Sequence, residues 1–183
     1  MRLPENWLKA VLLLESKKLA DKFKVLFVCT GNTCRSPMAE GILRHFLTQQ
    51  GIDHIEVSSA GTFGLDNHPA SEYAIVVCRD WGIDISGHRS RKLDRQMLAS
   101  SDLILAMAYE HYQILKQLYP SGNEVHLIKN FPKKGADSHS EGIEDPIGGP
   151  LELYSRTFLE LDEVIRKILP DIIRFAQSGS NEN

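Results

Sequence analysis

The sequence predicts an α/β fold: a parallel sheet of four strands covered by helices on both faces. Three observations predict it. Short apolar runs alternate with stretches of helical periodicity along the whole chain. The first run feeds a Gly- and Asn-bearing loop that opens directly into a helix, the pattern of a parallel strand–helix unit. The chain has 183 residues, 42% hydrophobic and 25% charged, which suits one domain with a sizeable core.

The elements follow in order. Residues 1–22 carry Trp7, Leu8, Val11, Leu12, Leu14 and Leu19 at roughly helical spacing and read as an amphipathic extension. Its stripe packs on the body of the protein, or serves as a homodimer contact or partner site. The domain proper spans 23–177. Val25–Val28 is an apolar strand, followed by the loop Cys29–Ser36 and a helix with Pro37 in its first turn and Gly51 at its end. Ile55–Ser59 is a strand, Ala70–Trp81 a helix and Leu93–Ala99 a short helix. Leu103–Met107 is a strand, Tyr109–Leu118 a helix and Val125–Ile128 the fourth strand. The segment Lys129–Pro150, rich in Gly, Pro, Asp and Ser, is a loop long enough to be functional. Leu151 to about Phe175 is the last helix, kinked at Pro170, and 178–183 is a polar, disordered tail.

Composition narrows the function. A formal net charge of -3 lacks the basic footprint of a nucleic-acid partner. The apolar run Ala10–Leu14, flanked by charges, is too short for a secretory signal, and no membrane span is present. Three cysteines, Cys29, Cys34 and Cys78, do not make a disulfide framework, and they point to a reducing, cytoplasmic location.

The loop from Cys29 to Ser36 carries the chemistry. It joins a strand's carboxyl end to a helix start, where free amides and the dipole's positive end attract anions. Gly31 and Asn32 tolerate positive φ, so the chain can curl with its amides inward into a phosphate-binding nest made by Thr30, Gly31, Asn32, Thr33, Cys34 and Ser36. A cysteine at the mouth of that nest sits in the same positive field, which favours the thiolate. Arg35 adds a cation whose fork grips two phosphoryl oxygens. Ser36 can hydrogen-bond the thiolate. These parts suit phosphoryl transfer to Cys29. Such transfer needs a proton donor for the leaving group. Asp145, before Pro146 in the long loop, is a carboxylate able to swing over the site.

Val28-Cys29-Thr-Gly-Asn-Thr-Cys-Arg-Ser-Pro-Met-Ala-Glu40 resembles the signature of the low-molecular-weight protein tyrosine phosphatases. The likeness continues through Ser59-Ala60-Gly61, Gly82-Ile83-Asp84, Gly87–Arg91, Asp102–Met107 and Asp145-Pro146 with Gly148-Gly149, over about residues 24–175. It implies a flavodoxin-like four-stranded sheet and no metal or cofactor. Phosphorylated protein side chains would be the substrates. By resemblance the nucleophile is Cys29, the phosphate-binding arginine Arg35 and the general acid Asp145. His88 supports Asn32 from behind, or else stands solvent-exposed beside Arg89 and Arg91. Cys34 forms a reversible disulfide with Cys29, or else simply packs under the loop. Thr33 and Gly148-Gly149 resemble the protein arginine phosphatase branch, where the tyrosine enzymes have an aliphatic residue in place of Thr33 and aromatic residues after Asp-Pro. Phe63 offers an aromatic wall.

Two rival readings share the loop. A thiol-linked arsenate reductase needs two further relay cysteines, and none follows Cys78. A non-catalytic anion-binding module has no need to keep Cys29, Arg35 and Asp145 together.

Overall fold

The computed structural model describes residues 22–64, 66–119, 124–137 and 139–179. The predicted N-terminal helix lies outside them. Four strands, β1 (Phe23–Cys29), β2 (Ile55–Gly61), β3 (Leu103–Ala106) and β4 (Glu124–Leu127), pair in parallel in the order β2-β1-β3-β4. The helices are α1 (Arg35–Gln49), α2 (Glu72–Asp80), α3 (Arg95–Ala99), α4 (Tyr109–Leu118) and α5 (Leu151–Gly179).

Alternation along β1 divides the core. Val25, Phe27 and Cys29 face one layer with α1, α2 and α5, while Leu26 and Val28 face another with α3 and α4. Both faces are therefore apolar, which explains why β1 reads as a continuous hydrophobic run. Each fully buried large side chain, such as Phe27 or Phe158, contributes about 1.5–3 kcal/mol of burial. Among the described residues no helix is long and apolar enough to cross a membrane.

The sheet order sets the site. The chain leaves β1 toward β2 on one side, then returns to β3 on the other, so a crevice opens beyond the carboxyl ends of β1 and β3. The loop after β1 occupies that crevice.

The last helix, expected to end near Phe175, runs on to Gly179. Gln177 and Ser178 belong to it, because buried Ala176 holds the last turn on the core and Ser178 Oγ donates to the Arg174 carbonyl at 3.0 Å.

Candidate active site

Between β1 and α1 the chain turns sharply enough that Asn32 takes a left-handed φ of 54°. The sequence offered both Gly31 and Asn32 for this role. Only Asn32 adopts it, because its side chain can be tied down there. Asn32 Nδ2 donates to Ser36 Oγ at 2.9 Å and to Ser59 Oγ at 2.8 Å. Its Oδ1 accepts from the Arg91 backbone N–H at 2.9 Å, which fixes the amide's orientation, since a backbone nitrogen can only donate. Ser59, having accepted from Asn32, passes its own proton to Glu40, which is buried and paired with Arg44 at 2.7 Å.

This wiring has a chemical result at the sulfur. Ser36 Oγ accepts from Asn32, so its single proton is free for Cys29 Sγ, 3.0 Å away. The Asn32 backbone N–H donates to the same sulfur at 3.3 Å. Two donors at the start of a 15-residue helix stabilise negative charge on Cys29. Cys29 itself is buried, 3% exposed, at the foot of the cradle.

His88 supports the loop and is half-buried. Its Nε2 lies 2.8 Å from the Asn32 carbonyl oxygen, an acceptor, so Nε2 bears the proton. Burial lowers the pKa of this imidazole below its ordinary value, against the pull of that hydrogen bond, which favours the neutral ring.

Arg35 is buried beneath the mouth of the site. Nη1 donates to the Ile143 carbonyl at 3.2 Å, and Nη2 donates to Thr30 Oγ1 at 3.4 Å and to the Asp145 carboxylate. The cation and the carboxylate singled out from sequence, 110 residues apart, therefore meet directly. Asp145 is positioned by its neighbours: the Ile143 N–H bonds the Met107 carbonyl at 2.7 Å, clamping the long segment to the end of β3. A cleft of about 550 Å³ beside this pair is lined by Arg35, Ala108, Ile143 and Asp145 among others.

Cys34 sits at the N-cap of α1, buried and unbridged. Its S–H donates to Ser71 Oγ at 3.3 Å, so the Tyr154 hydroxyl at 3.4 Å is the donor to its sulfur. Burial, with the contact to Cys34, pushes Tyr154 up to about 12 and keeps that hydroxyl protonated. Thr33 Oγ1 lies 3.7 Å from the same sulfur, and Phe63, beside the Phe63 N–H to Thr30 carbonyl bond, is 82% exposed at the rim. Cys78 is fully buried in α2, and burial raises its thiol to about 12, which unsuits it for a thiol relay.

The sequence reading missed Ser59, Glu40, Arg91 and His111 as supports. A carboxylate on the buried face of an amphipathic helix was the available signal for Glu40. His111 gave none. It is 1% exposed, its Nε2 lies 2.8 Å from Thr30 Oγ1, and its Nδ1 has no partner among the described residues. Burial, and after it the charge of Arg35, lower its pKa to about 4.

Comparison with known proteins agrees with this geometry. The family model for low molecular weight phosphotyrosine protein phosphatases matches residues 24–178. The protein-arginine-phosphatase of Bacillus subtilis (strain 168) is 35% identical over 145 residues, covering 79% of this chain and 93% of that protein. The low molecular weight protein-tyrosine-phosphatase PtpB of Staphylococcus aureus is 31% identical over 150 residues, 82% and 99% of the two chains. Among solved structures, a low molecular weight protein tyrosine phosphatase from T. tengcongensis superposes with a TM-score of 0.73 at 43% identity, covering 82% of this chain and 99% of that one. A mutant YwlE arginine phosphatase with a phosphorylated active-site serine superposes at 0.72 and 31% identity, covering 88% and 98%. With the signature loop, the fold and these relatives in agreement, the chain belongs to the low molecular weight phosphotyrosine protein phosphatase family.

Proposed function

We propose that Cys29 takes the phosphoryl group from a phosphorylated protein side chain, with phosphoarginine preferred over phosphotyrosine. The observation that carries the reading is the pair of hydrogen bonds aimed at Cys29 Sγ, with Arg35 and Asp145 in contact above it. The incoming phosphoryl oxygens take the guanidinium from Asp145 and bind the loop amides. The freed Asp145 carboxylate takes up a proton from solvent; the thiolate then attacks phosphorus as the bond to the leaving oxygen or nitrogen breaks, and Asp145 gives that proton to the departing atom. Water then attacks the phosphocysteine, Asp145 takes the water's proton, and the S–P bond breaks. The Ser36 hydroxyl stabilises the departing thiolate.

The arginine preference rests on Thr33 and on the 35% identical protein-arginine-phosphatase. A guanidinium is costly to desolvate without acceptors, and the Thr33 hydroxyl with the Asp145 carboxylate supplies them. Cys34 captures Cys29 as a reversible disulfide under oxidation. Residues 23–177 form the catalytic domain, with 1–22 as its extension. The free thiols favour a cytoplasmic setting.

Rapid-quench trapping should recover an acid-labile phosphocysteine in the parent, and Cys29→Ser should be folded but inactive. Full activity in that variant would end the proposal. Side-by-side kcat/KM values on phosphoarginine and phosphotyrosine peptides test the substrate. Thr33→Ile should shift the ratio toward phosphotyrosine about tenfold, the worth of one pocket contact. Good turnover of phosphotyrosine with none of phosphoarginine would refute the preference.

A further inference from the structure

We propose that His111 is a positioning residue for phosphoryl binding: it donates Nε2–H to Thr30 and so leaves the Thr30 hydroxyl proton for a phosphoryl oxygen in the cradle. The inference rests on the phosphatase reading and assigns a role to a residue far from the signature loop in sequence.

Donor counting carries it. Thr30 Oγ1 has one proton and two lone pairs. Arg35 Nη2 can only donate, so one lone pair is taken. His111 Nε2 stands 2.8 Å from the same oxygen. Only two arrangements of a neutral imidazole fit. If Nδ1 bore the proton, a buried N–H would face no acceptor among the described residues, and Thr30 would turn its own proton to His111. An unpaired buried donor is the costlier defect and the rarer one in folded proteins. If Nε2 bears the proton, the orphan is a bare lone pair on Nδ1. Thr30 then accepts twice, and its hydroxyl points its proton elsewhere. Thr30 is exposed at the mouth of the cradle, next to the guanidinium that grips the substrate, so the proton's natural acceptor is a phosphoryl oxygen. The low pKa of this ring, about 4, keeps it neutral and limited to one N–H.

His111 also explains why a buried polar ring is tolerated on α4. Leu115, one turn on, is apolar and wholly buried, as the periodicity requires. His111 occupies a core-facing position where a leucine would serve packing equally well, and its one hydrogen bond goes to the cradle.

The test uses inorganic phosphate as a competitive inhibitor and an aryl phosphate as substrate, with the full chain. Thr30→Val should raise the phosphate Ki and the KM together by about tenfold, the worth of one hydrogen bond to a charged group. His111→Leu, which keeps the Thr30 proton but no longer aims it, should raise both in the same direction by a smaller factor. The double variant should be no weaker than Thr30→Val, since His111 acts only through that hydroxyl. His111→Gln, whose Nε2 can still donate to Thr30, should recover most of the affinity. Parent-like phosphate binding in His111→Leu, or losses that multiply in the double variant, would overturn the assignment. Should His111→Leu fail to fold, Thr30→Val and His111→Gln decide alone. Unchanged phosphate affinity in Thr30→Val, or a Gln variant as weak as Thr30→Val, sinks it.

Discussion

Two segments meet at Arg35, and they are fixed in different ways. The loop Cys29–Ser36 is held by side chains: Asn32 spends both amide protons and its carbonyl oxygen on Ser36, Ser59 and Arg91, and His88 holds its backbone. The segment Lys129–Pro150 is anchored mostly away from that loop, by the Ile143 N–H on Met107, by the buried side chains of Phe131 and Ile143, and by Lys129 on Glu160, and its Asp145 side chain and Ile143 carbonyl meet Arg35 of the loop. Asp145 remains 39% exposed while Arg35 is buried, and a phosphoryl group that takes over the guanidinium replaces the ion pair as it breaks. Unmaking the buried Asn32 network costs several hydrogen bonds. The cradle is thus tied by buried hydrogen bonds, and the Arg35–Asp145 pair is the contact at its open side.

Asp145 gives the sharpest way to break that contrast. Asp145→Ala should slow phenyl phosphate by about 100- to 10,000-fold and an ester of an acidic phenol much less, because only the former needs its leaving oxygen protonated. Equal losses on both, in steady-state kinetics, would make Asp145 part of the cradle's architecture. Asn32→Ala should show the opposite signature. It should depress kcat/KM on both esters by the same factor and lower stability by about 3 kcal/mol in urea unfolding, as Ser36, Ser59 and the Arg91 N–H lose their partner. A stability like the parent's would show that the cradle does not depend on its wiring.

Acid should loosen the cradle side. His111 has a folded-state pKa of about 4 against an ordinary 6.5, so between those values the unfolded chain binds more protons. Its contribution is complete above about pH 6.5 and is lost as pH falls toward 4, by roughly 3 kcal/mol at most. His88, lowered in the same direction, adds to the trend. Urea unfolding at pH 7 and pH 4.5 should show a smaller loss in His111→Gln than in the parent. Identical losses would remove His111 from the account.

The smallest effect concerns Cys34. Cys34→Ala should leave phosphatase activity near the parent's under reducing conditions, yet recover less after mild peroxide and reductant, because nothing then shields oxidised Cys29 from further oxidation. Unchanged recovery would leave Cys34 only its packing against Ser71 and Tyr154.

Much of this was legible in the sequence, and the reason is local. Val25–Val28 is apolar because β1 is covered on both faces, and the strand–loop–helix join confines the cradle to consecutive residues. The helix at 109–118 has the predicted bounds because its periodicity is clear. What escaped depends on tertiary register. Thr30 meets His111 only because β1 pairs with β3, which delivers α4 beside the loop. Ile143 anchors the long segment through irregular backbone, which has no period to read. The choice of Asn32 over Gly31 for the left-handed turn follows from Ser59 and Arg91, which come from other parts of the chain.

Gly61 carries a lesson for redesign. A methyl group there would lie 2.6 Å from the Thr30 carbonyl oxygen and 3.0 Å from the Asn32 nitrogen, both main-chain atoms with nowhere to retreat. Gly142 meets the Ala108 backbone at 2.8 Å in the same way. At these two points, one against the loop and one in the cleft wall, the main chain is packed too closely to admit a side chain. New substrate preferences have to be written at the rim, on Thr33, Phe63 and Ile147, the last two 82% and 66% exposed. A combinatorial library confined to those three positions would retune which phosphorylated residue is accepted while passing the bond-breaking apparatus on intact.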